Sequence, residues 1–394
     1  MKKIILSSVL LSSIVFAGGY RIPESSTDAV ALSAACIANA NGADASYYNP
    51  ANMAFSDNAK NDIEIDVTYI GLSKVDYKGT TAVKGIGLIP TDTSSESEDF
   101  IVPTLHYVSP KFGKFRVGLS IVSPGGLSKR WKEQPASLYS QEFTLTTVEI
   151  NPTFSYKLTD KIAIGGGIRA IYSDGEVKNA KYEMTGDGFD FGYNVAISIK
   201  PDKKTTVALT YKSKVDLDIS GDTSTTATSI NSLVDVSLPI PAVFSMALAY
   251  TWNETTTLEG VIEKDFWSKY KTLDFNFDNA LNEANLGNPI PKNWKDTTVF
   301  RLGLTHKLND FTVMLGYGYD ESPVPDETLS YELPSSPANI YSIGGKYRVN
   351  QNIEIAISAL TSIYKDRKVS NRVLNGEFSN SQSYLASGSI EYKF

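Results

Sequence analysis

The chain has 394 residues, of which 42% are hydrophobic, with 37 basic side chains against 44 acidic ones, 28 glycines, 22 tyrosines, one cysteine and two histidines. A lone cysteine forms no internal disulfide, and Cys36, His106 and His306 are too few soft ligands for a typical zinc centre. After position 17 no run of about 20 apolar residues occurs, which excludes helical membrane spans, and a net charge of −7 excludes nucleic acid as a partner.

Lys2 and Lys3 precede an apolar stretch over 4–16 that ends in Val15-Phe16-Ala17. This pattern predicts an export signal over 1–17 and a mature chain starting at Gly18. Leu32 to Cys36 loosely matches a lipid-attachment site, but the segment before it carries Arg21, Glu24 and Asp28, so Cys36 is expected to be a buried small residue. Residues 18–60 show no alternation. They are Ala-rich, punctuated by Asn39, Asn41, Gly42 and Asp44, and run into Tyr48-Asn49-Pro50-Ala51, a composition that predicts short helices and turns.

From Ile63 onward apolar and polar residues alternate with the period of a strand. Fourteen segments follow the pattern: 62–72, 101–109, 113–122, 146–157, 161–172, 189–200, 204–214, 242–252, 256–264, 297–306, 311–320, 340–348, 352–361 and 384–394. Short turns at 109–114, 158–161, 201–204, 253–256, 307–310 and 349–352 alternate with long connections at 73–100, 123–145, 173–188, 215–241, 265–296, 321–339 and 362–383. An even strand number with short turns on one side and long loops on the other predicts an all-β fold, a transmembrane antiparallel β-barrel of about fourteen strands spanning 61–394. An exported β-sandwich or propeller predicts neither this alternation nor aromatics at both strand ends. A barrel this wide leaves an aqueous channel unless it is plugged, so 18–60 is expected to be an N-terminal hatch inside the lumen. The terminal Phe394, on one face with Tyr392 and Ile390, has the form of the signal read by outer-membrane assembly machinery.

The motifs Gly19-Tyr20-Arg21-Ile22-Pro23-Glu24, Tyr48-Asn49-Pro50-Ala51, Ser123-Pro124-Gly125-Gly126-Leu127, Leu238-Pro239-Ile240-Pro241-Ala242 and Gly318-Tyr319-Asp320-Glu321-Ser322-Pro323 occur in order along the chain. In this they resemble the FadL/TodX family of outer-membrane transporters for long-chain fatty acids and other hydrophobic compounds. The resemblance implies a fourteen-stranded barrel with a hatch in the outer membrane of a Gram-negative bacterium. It implies passive uptake of fatty acids or aromatic hydrocarbons, captured by extracellular loops and released sideways through the wall near the third strand. No cofactor or metal is implied, and the chain is expected to act as a monomer among outer-membrane lipid and lipopolysaccharide.

The residues narrow the expectation. Gly118, in the third strand, either loosens the strand for a bend or leaves a packing gap beside the hatch. Strand parity puts Arg116, Arg169, Arg301 and Arg348 on the lumen side, where they could meet a carboxylate or hold the hatch by ion pairs. Arg21 is a candidate for ligand or gating contact, and Asn49, Pro50 and Ala51 read as a hatch turn near the exit. Capture is expected from apolar loop residues, Leu233, Val236, Leu238 and Ile240 in one connection and Phe266, Trp267, Phe275 and Phe277 in the next. No Gly-x-Ser-x-Gly elbow or phosphate loop is present, so an enzyme is not expected. A general or polar-solute porin and an adhesin or receptor barrel are the alternatives.

Overall fold

Fourteen antiparallel strands close into a barrel in the computed structural model, which describes residues 18–56, 59–226 and 228–394. The export-signal reading of 1–17 lies outside the described residues. The wall runs β1 (Asp62–Leu72), β2 (Glu98–Val108), β3 (Phe115–Val122), β4 (Glu142–Lys157), β5 (Ile162–Lys178), β6 (Tyr182–Ile199) and β7 (Thr205–Lys212). It continues through β8 (Val243–Trp252), β9 (Thr256–Asp265), β10 (Thr297–Leu308), β11 (Phe311–Asp320), β12 (Ala338–Arg348), β13 (Ile353–Tyr364) and β14 (Gln382–Lys393). The last strand pairs with the first over eleven residues, with Ile65 opposite Ile390. Closure is what a hydrocarbon surround demands, because lipid offers no partner to a free backbone amide or carbonyl. No helix among the described residues is long and apolar enough to cross a membrane.

The alternation has the expected consequence. Ile65, Phe154, Leu248 and Ile357 point outward and are exposed to the surround, whereas Glu64, Asp66, Ser198, Ser245 and Glu259 point inward and are buried. The alternation of connections needs one correction. The stretch 173–188 is not a long loop: β5 and β6 extend through it and meet in a tight turn at 179–181. Backbone ladder bonds prevail there over the polar composition that suggested a loop.

The other long connections carry structure of their own. Asp76–Val83, Gly87–Ser94, Arg367–Ser370 and Leu374–Ser379 form a separate four-stranded sheet. Val215–Thr225 and Ser232–Ile240 form a hairpin whose first strand pairs with the start of β6, which raises one side of the wall above the rest.

Residues 18–56 occupy the lumen. Helix α1 (Thr27–Ala31) starts at Ser26, whose hydroxyl accepts from the Ala29 amide at 3.1 Å and caps it. Helix α2 (Ala45–Tyr48) is followed by the 3-10 turn Pro50–Phe55, with proline at a first-turn position where no amide donor is needed. Small side chains are what permit this: Ala29, Ala31, Ala35, Ala45 and Ala51 are fully or nearly fully buried against the wall. Cys36 is free and buried, as its sequence context suggested.

Candidate functional site

Wall side chains strap the lumenal segment in place through its backbone. Glu259 of β9 accepts from the amides of Ile37, Ala38 and Asn39 at 2.7, 2.7 and 3.0 Å. Asp66 accepts from the Thr27 amide at 2.7 Å, and Ser342 donates to the Ala31 carbonyl at 2.8 Å. Lys346 pairs with Asp28 at 2.6 Å, and His106 Nε2 lies 2.9 Å from the Ser25 carbonyl. A segment with this little regular structure has many unpaired amides and carbonyls, and buried ones must find partners. Here the inward, polar face of the barrel supplies them.

The arginines singled out from sequence divide. Arg169 is fully engaged, bidentate to Glu149 at 2.8 and 3.0 Å and donating to the Ser213 carbonyl at 2.7 Å. Arg301 donates to the Ser33 carbonyl at 2.9 Å and sits 3.8 to 3.9 Å from Glu24, Glu263 and Asp320. Arg116 donates to the Ser109 and Ser56 carbonyls at 3.0 and 2.9 Å. Arg21, in the lumenal segment, pairs with Glu263 at 2.7 Å and Asp265 at 2.5 Å. Arg348 does not join them. It has lumenal parity, but it is the last residue of β12 and lies exposed at the turn rim, so Lys346 one inward position earlier takes the lumenal place.

Asn49 bridges the lumenal segment to the wall, donating to the Ile37 carbonyl at 2.9 Å and to Ser198 of β6 at 2.8 Å. The Pro50-Ala51 turn lies so close to β5 that a Cβ on Gly165 would stand 2.5 Å from the Ala51 amide nitrogen. Gly118 serves the same purpose on β3: a Cβ there would stand 2.7 Å from the Ser46 Cβ and 2.8 Å from Met53 Sδ. Of the two readings of Gly118, close approach of the lumenal segment is therefore observed.

Two cavities lie above this packed base. The upper one, about 450 Å³ including its mouth, is almost wholly apolar and is lined by Phe143, Leu145, Val177, Met184, Ile219 and Phe275 among others. Val236 and Leu238 line it, Phe277 lies in the same cluster, and Leu233 stands outside, 57% exposed. The lower cavity, about 590 Å³ including its mouth, lies between lumenal segment and wall and is lined by Ile22, Tyr47, Tyr48, Ile240 and Val243 together with Arg21, Arg169 and Lys212. A continuous apolar layer including Leu238, Ile240 and Tyr20 connects them. Trp267 does not face the upper cavity. It is buried edge-on to Tyr20 at 4.9 Å between ring centres and to Trp294 at 4.8 Å, while its neighbour Phe266 is half-buried.

Sequence reasoning missed Lys212. Its Nζ lies 3.1 Å from the centre of the Tyr47 ring, and unlike Arg21 and Arg169 it makes no salt bridge among the described residues. Strand parity could have found it, since Ala208 and Thr210 on the same face are buried. A lysine at a strand end reads as interfacial, which hides it among the rim charges.

The wall itself is incomplete at one place. β2 pairs with β3 only over Leu105–Val108, opposite Gly118–Ile121, although it pairs with β1 over all eleven of its residues. Past Val122 the chain turns inward and bonds the lumenal segment instead, Ile22 amide to Pro124 carbonyl at 3.0 Å and Gly126 amide to Tyr20 carbonyl at 2.8 Å. Phe100 and Val102, beside this gap, share an apolar cluster with Ile22 of the lower cavity. Outside the membrane band, on Gly126–Arg130, burial pushes the Lys129 amine down to about 8 against the pull of Glu98.

The fold has known counterparts. Residues 8–394 match the family described as outer membrane protein transport protein (OMPP1/FadL/TodX). A long-chain fatty acid transport protein of Escherichia coli O6:H1 is 24% identical over 304 residues, 66% of this chain and 68% of that one. Outer membrane protein P1 of Haemophilus influenzae is 21% identical over 301 residues, 64% of each chain, so the match spans just under two thirds of that relative. In fold, the chain is similar to a Pseudomonas aeruginosa FadL homologue, with a TM-score of 0.83 at 18% identity over 95% of this chain and 100% of the other. It is likewise similar to the Ralstonia pickettii toluene transporter TbuX, with a TM-score of 0.72 at 16% identity over 94% and 99%. The chain thus belongs to the OMPP1/FadL/TodX family of outer-membrane transport proteins.

Proposed function

We propose that this transporter carries long-chain carboxylates, fatty acids in the first place, passively across the outer membrane. The acid enters the upper apolar cavity between the extracellular loops and moves along the layer through Leu238 and Ile240. In the lower cavity its carboxylate meets Lys212. The observation that carries this reading is the state of the three cations there: Arg21 and Arg169 already hold carboxylates of the protein, whereas Lys212 makes only a cation–π contact. An ammonium that holds no carboxylate, in a cavity lined by both polar and apolar groups, is a receptor for an anion, and a hydrocarbon without charge has no use for it. That weighs for a fatty acid over the toluene named for one of the similar structures.

Release is sideways, between β2 and β3. The missing ladder bonds beside Glu98–Thr104 and the apolar contact of Ile22 with Phe100 and Val102 support this exit. Residues 18–60 act as the hatch: because the Tyr20 and Ile22 backbone stitches the segment at 124–126, displacement of that stretch by ligand would also loosen the edge of the exit. No energy source enters the scheme, and no catalytic step does either. The barrel closes on itself, which supports a monomer within outer-membrane lipid and lipopolysaccharide, inserted by assembly machinery that reads Phe394.

The test is uptake of labelled oleate and labelled toluene, in parallel, by cells expressing the protein in a transporter-null background, with single-channel conductance on the purified barrel. Oleate uptake at low conductance is expected, and Lys212→Met should lower oleate uptake about tenfold, the worth of one charge-assisted hydrogen bond, while any toluene uptake is unchanged. Equal oleate uptake by wild type and Lys212→Met would remove the carboxylate role. Large steady conductance with uptake of neither compound would make the barrel a porin.

A further inference from the structure

The chain is acidic as a whole, at −7, yet its short-turn rim, the periplasmic one in a barrel of this kind, is basic. Lys114, Lys161, Lys203, Lys204, Lys307 and Arg348 are all exposed there, and none of them makes a salt bridge among the described residues. The same short turns carry four acids, Asp160, Asp202, Glu254 and Asp310, of which two are engaged locally. Asp202 accepts from the Lys204 and Thr205 amides at 2.8 Å to close its turn, and Asp160 pairs with Lys157 at 3.0 Å. The cations alternate with exposed apolar groups at the same level: Phe112 and Phe115 flank Lys114, Leu308 follows Lys307, and Tyr347 and Val349 flank Arg348. Long basic side chains beside apolar ones at a strand end place the stem in acyl chain and the charge at headgroup level.

We propose that this rim is a cationic collar that binds the phosphate headgroups of anionic phospholipids in the periplasmic leaflet. Its distribution selects lipid over an acidic protein as the partner. The six cations come from five separate turns or strand ends spread around the barrel, from β3 to β12, and Lys114, Lys307 and Arg348 stand next to exposed apolar side chains. An annulus of lipid contacts all of them at once, whereas a docked protein would need them on one side. The inference needs the barrel and its orientation, not the identity of the transported molecule.

The experiment uses the full-length mature protein in bilayer nanodiscs of 1:4 phosphatidylglycerol to phosphatidylcholine, with annular lipid read by native mass spectrometry after gentle release. Each basic side chain near an anionic surface is worth about a fivefold preference and is screened within a Debye length. We expect at least about fivefold enrichment of phosphatidylglycerol at low salt, most of it lost at high salt. Replacing the six cations with glutamine should abolish it, and Lys84→Gln with Lys181→Gln in the extracellular loops should not. All six sites are exposed on turns or strand ends, and heat-modifiable gel mobility checks that each variant is folded. Equal retention of the two lipids by folded wild type would overturn the proposal. Binding of polyglutamate to wild type in pure phosphatidylcholine discs, without lipid enrichment in the mixed ones, would reassign the collar to an acidic protein.

Discussion

Lys212 Nζ stands 3.1 Å from the centre of the Tyr47 ring, so a wall strand and the lumenal segment meet through a cation and a π face where neighbouring contacts use carboxylates. The contact holds the amine in the lower cavity, where no carboxylate among the described residues pairs with it. Tyr47→Leu keeps the cation and removes the ring, a loss of about 1 kcal/mol. Oleate affinity, measured by tryptophan quenching or calorimetry, should fall only a few-fold in that variant, against about tenfold for Lys212→Met. Identical losses in the two variants would mean that the ring, not the charge, recognises ligand.

Gly118 is the point on β3 where the lumenal segment comes closest. Gly118→Val forces atoms into the space of Ser46 and Met53, and the lighter element gives way, because the wall is tied by ladder bonds to β4 along all eight residues of β3. Single-channel conductance should rise toward that of a variant lacking residues 19–52. A Gly118→Val barrel as tight as wild type would show that the segment accommodates the side chain elsewhere.

The Arg169–Glu149 pair is buried at 2% and 0% side-chain exposure. Removing one partner of such a pair strands a charge and costs about 3–5 kcal/mol, whereas removing both costs much less. Urea unfolding of the detergent-refolded barrel should therefore show Arg169→Met well below Arg169→Met/Glu149→Gln. Equal midpoints would mean that water reaches Glu149.

Lys129 makes one part of stability depend on pH. Burial lowers its amine from 10.5 to about 8 in the folded chain, so between those values the unfolded chain holds more protons. By linkage, stability is constant below about 8 and rises with pH up to about 10.5, by as much as about 3 kcal/mol. Lys129→Met should abolish the rise. Protease resistance of the loop segment around 126–130, compared at pH 7.5 and 9.5 in both proteins, checks this; parallel behaviour would place the amine in water.

The wall was legible because a barrel in lipid imposes a local rule. Each residue faces either hydrocarbon or lumen, and all fourteen expected segments correspond to observed strands. The parity that assigned Arg169 and Arg301 inward is the same rule. It says nothing about height along the barrel, so Arg348, with correct parity, was expected in the lumen and lies at the rim. Nor does composition reveal where strands outlast the membrane, which is why 173–188 reads as a loop.

What the sequence by itself determined, then, is the closed wall, its sidedness and the presence of a small-residue segment suited to filling it, since these follow from residue-by-residue solvation along a two-residue period. The tertiary structure alone decided which lumenal cations are paired, that Lys212 faces the lower cavity over Tyr47, and that β3 abandons β2 to bond Tyr20 and Ile22. Apart from Arg169–Glu149, 20 positions apart on paired strands, those contacts join residues about a hundred or more positions apart around a ring. Their geometry is set when the ring closes and the lumenal segment seats, and no local pattern encodes it.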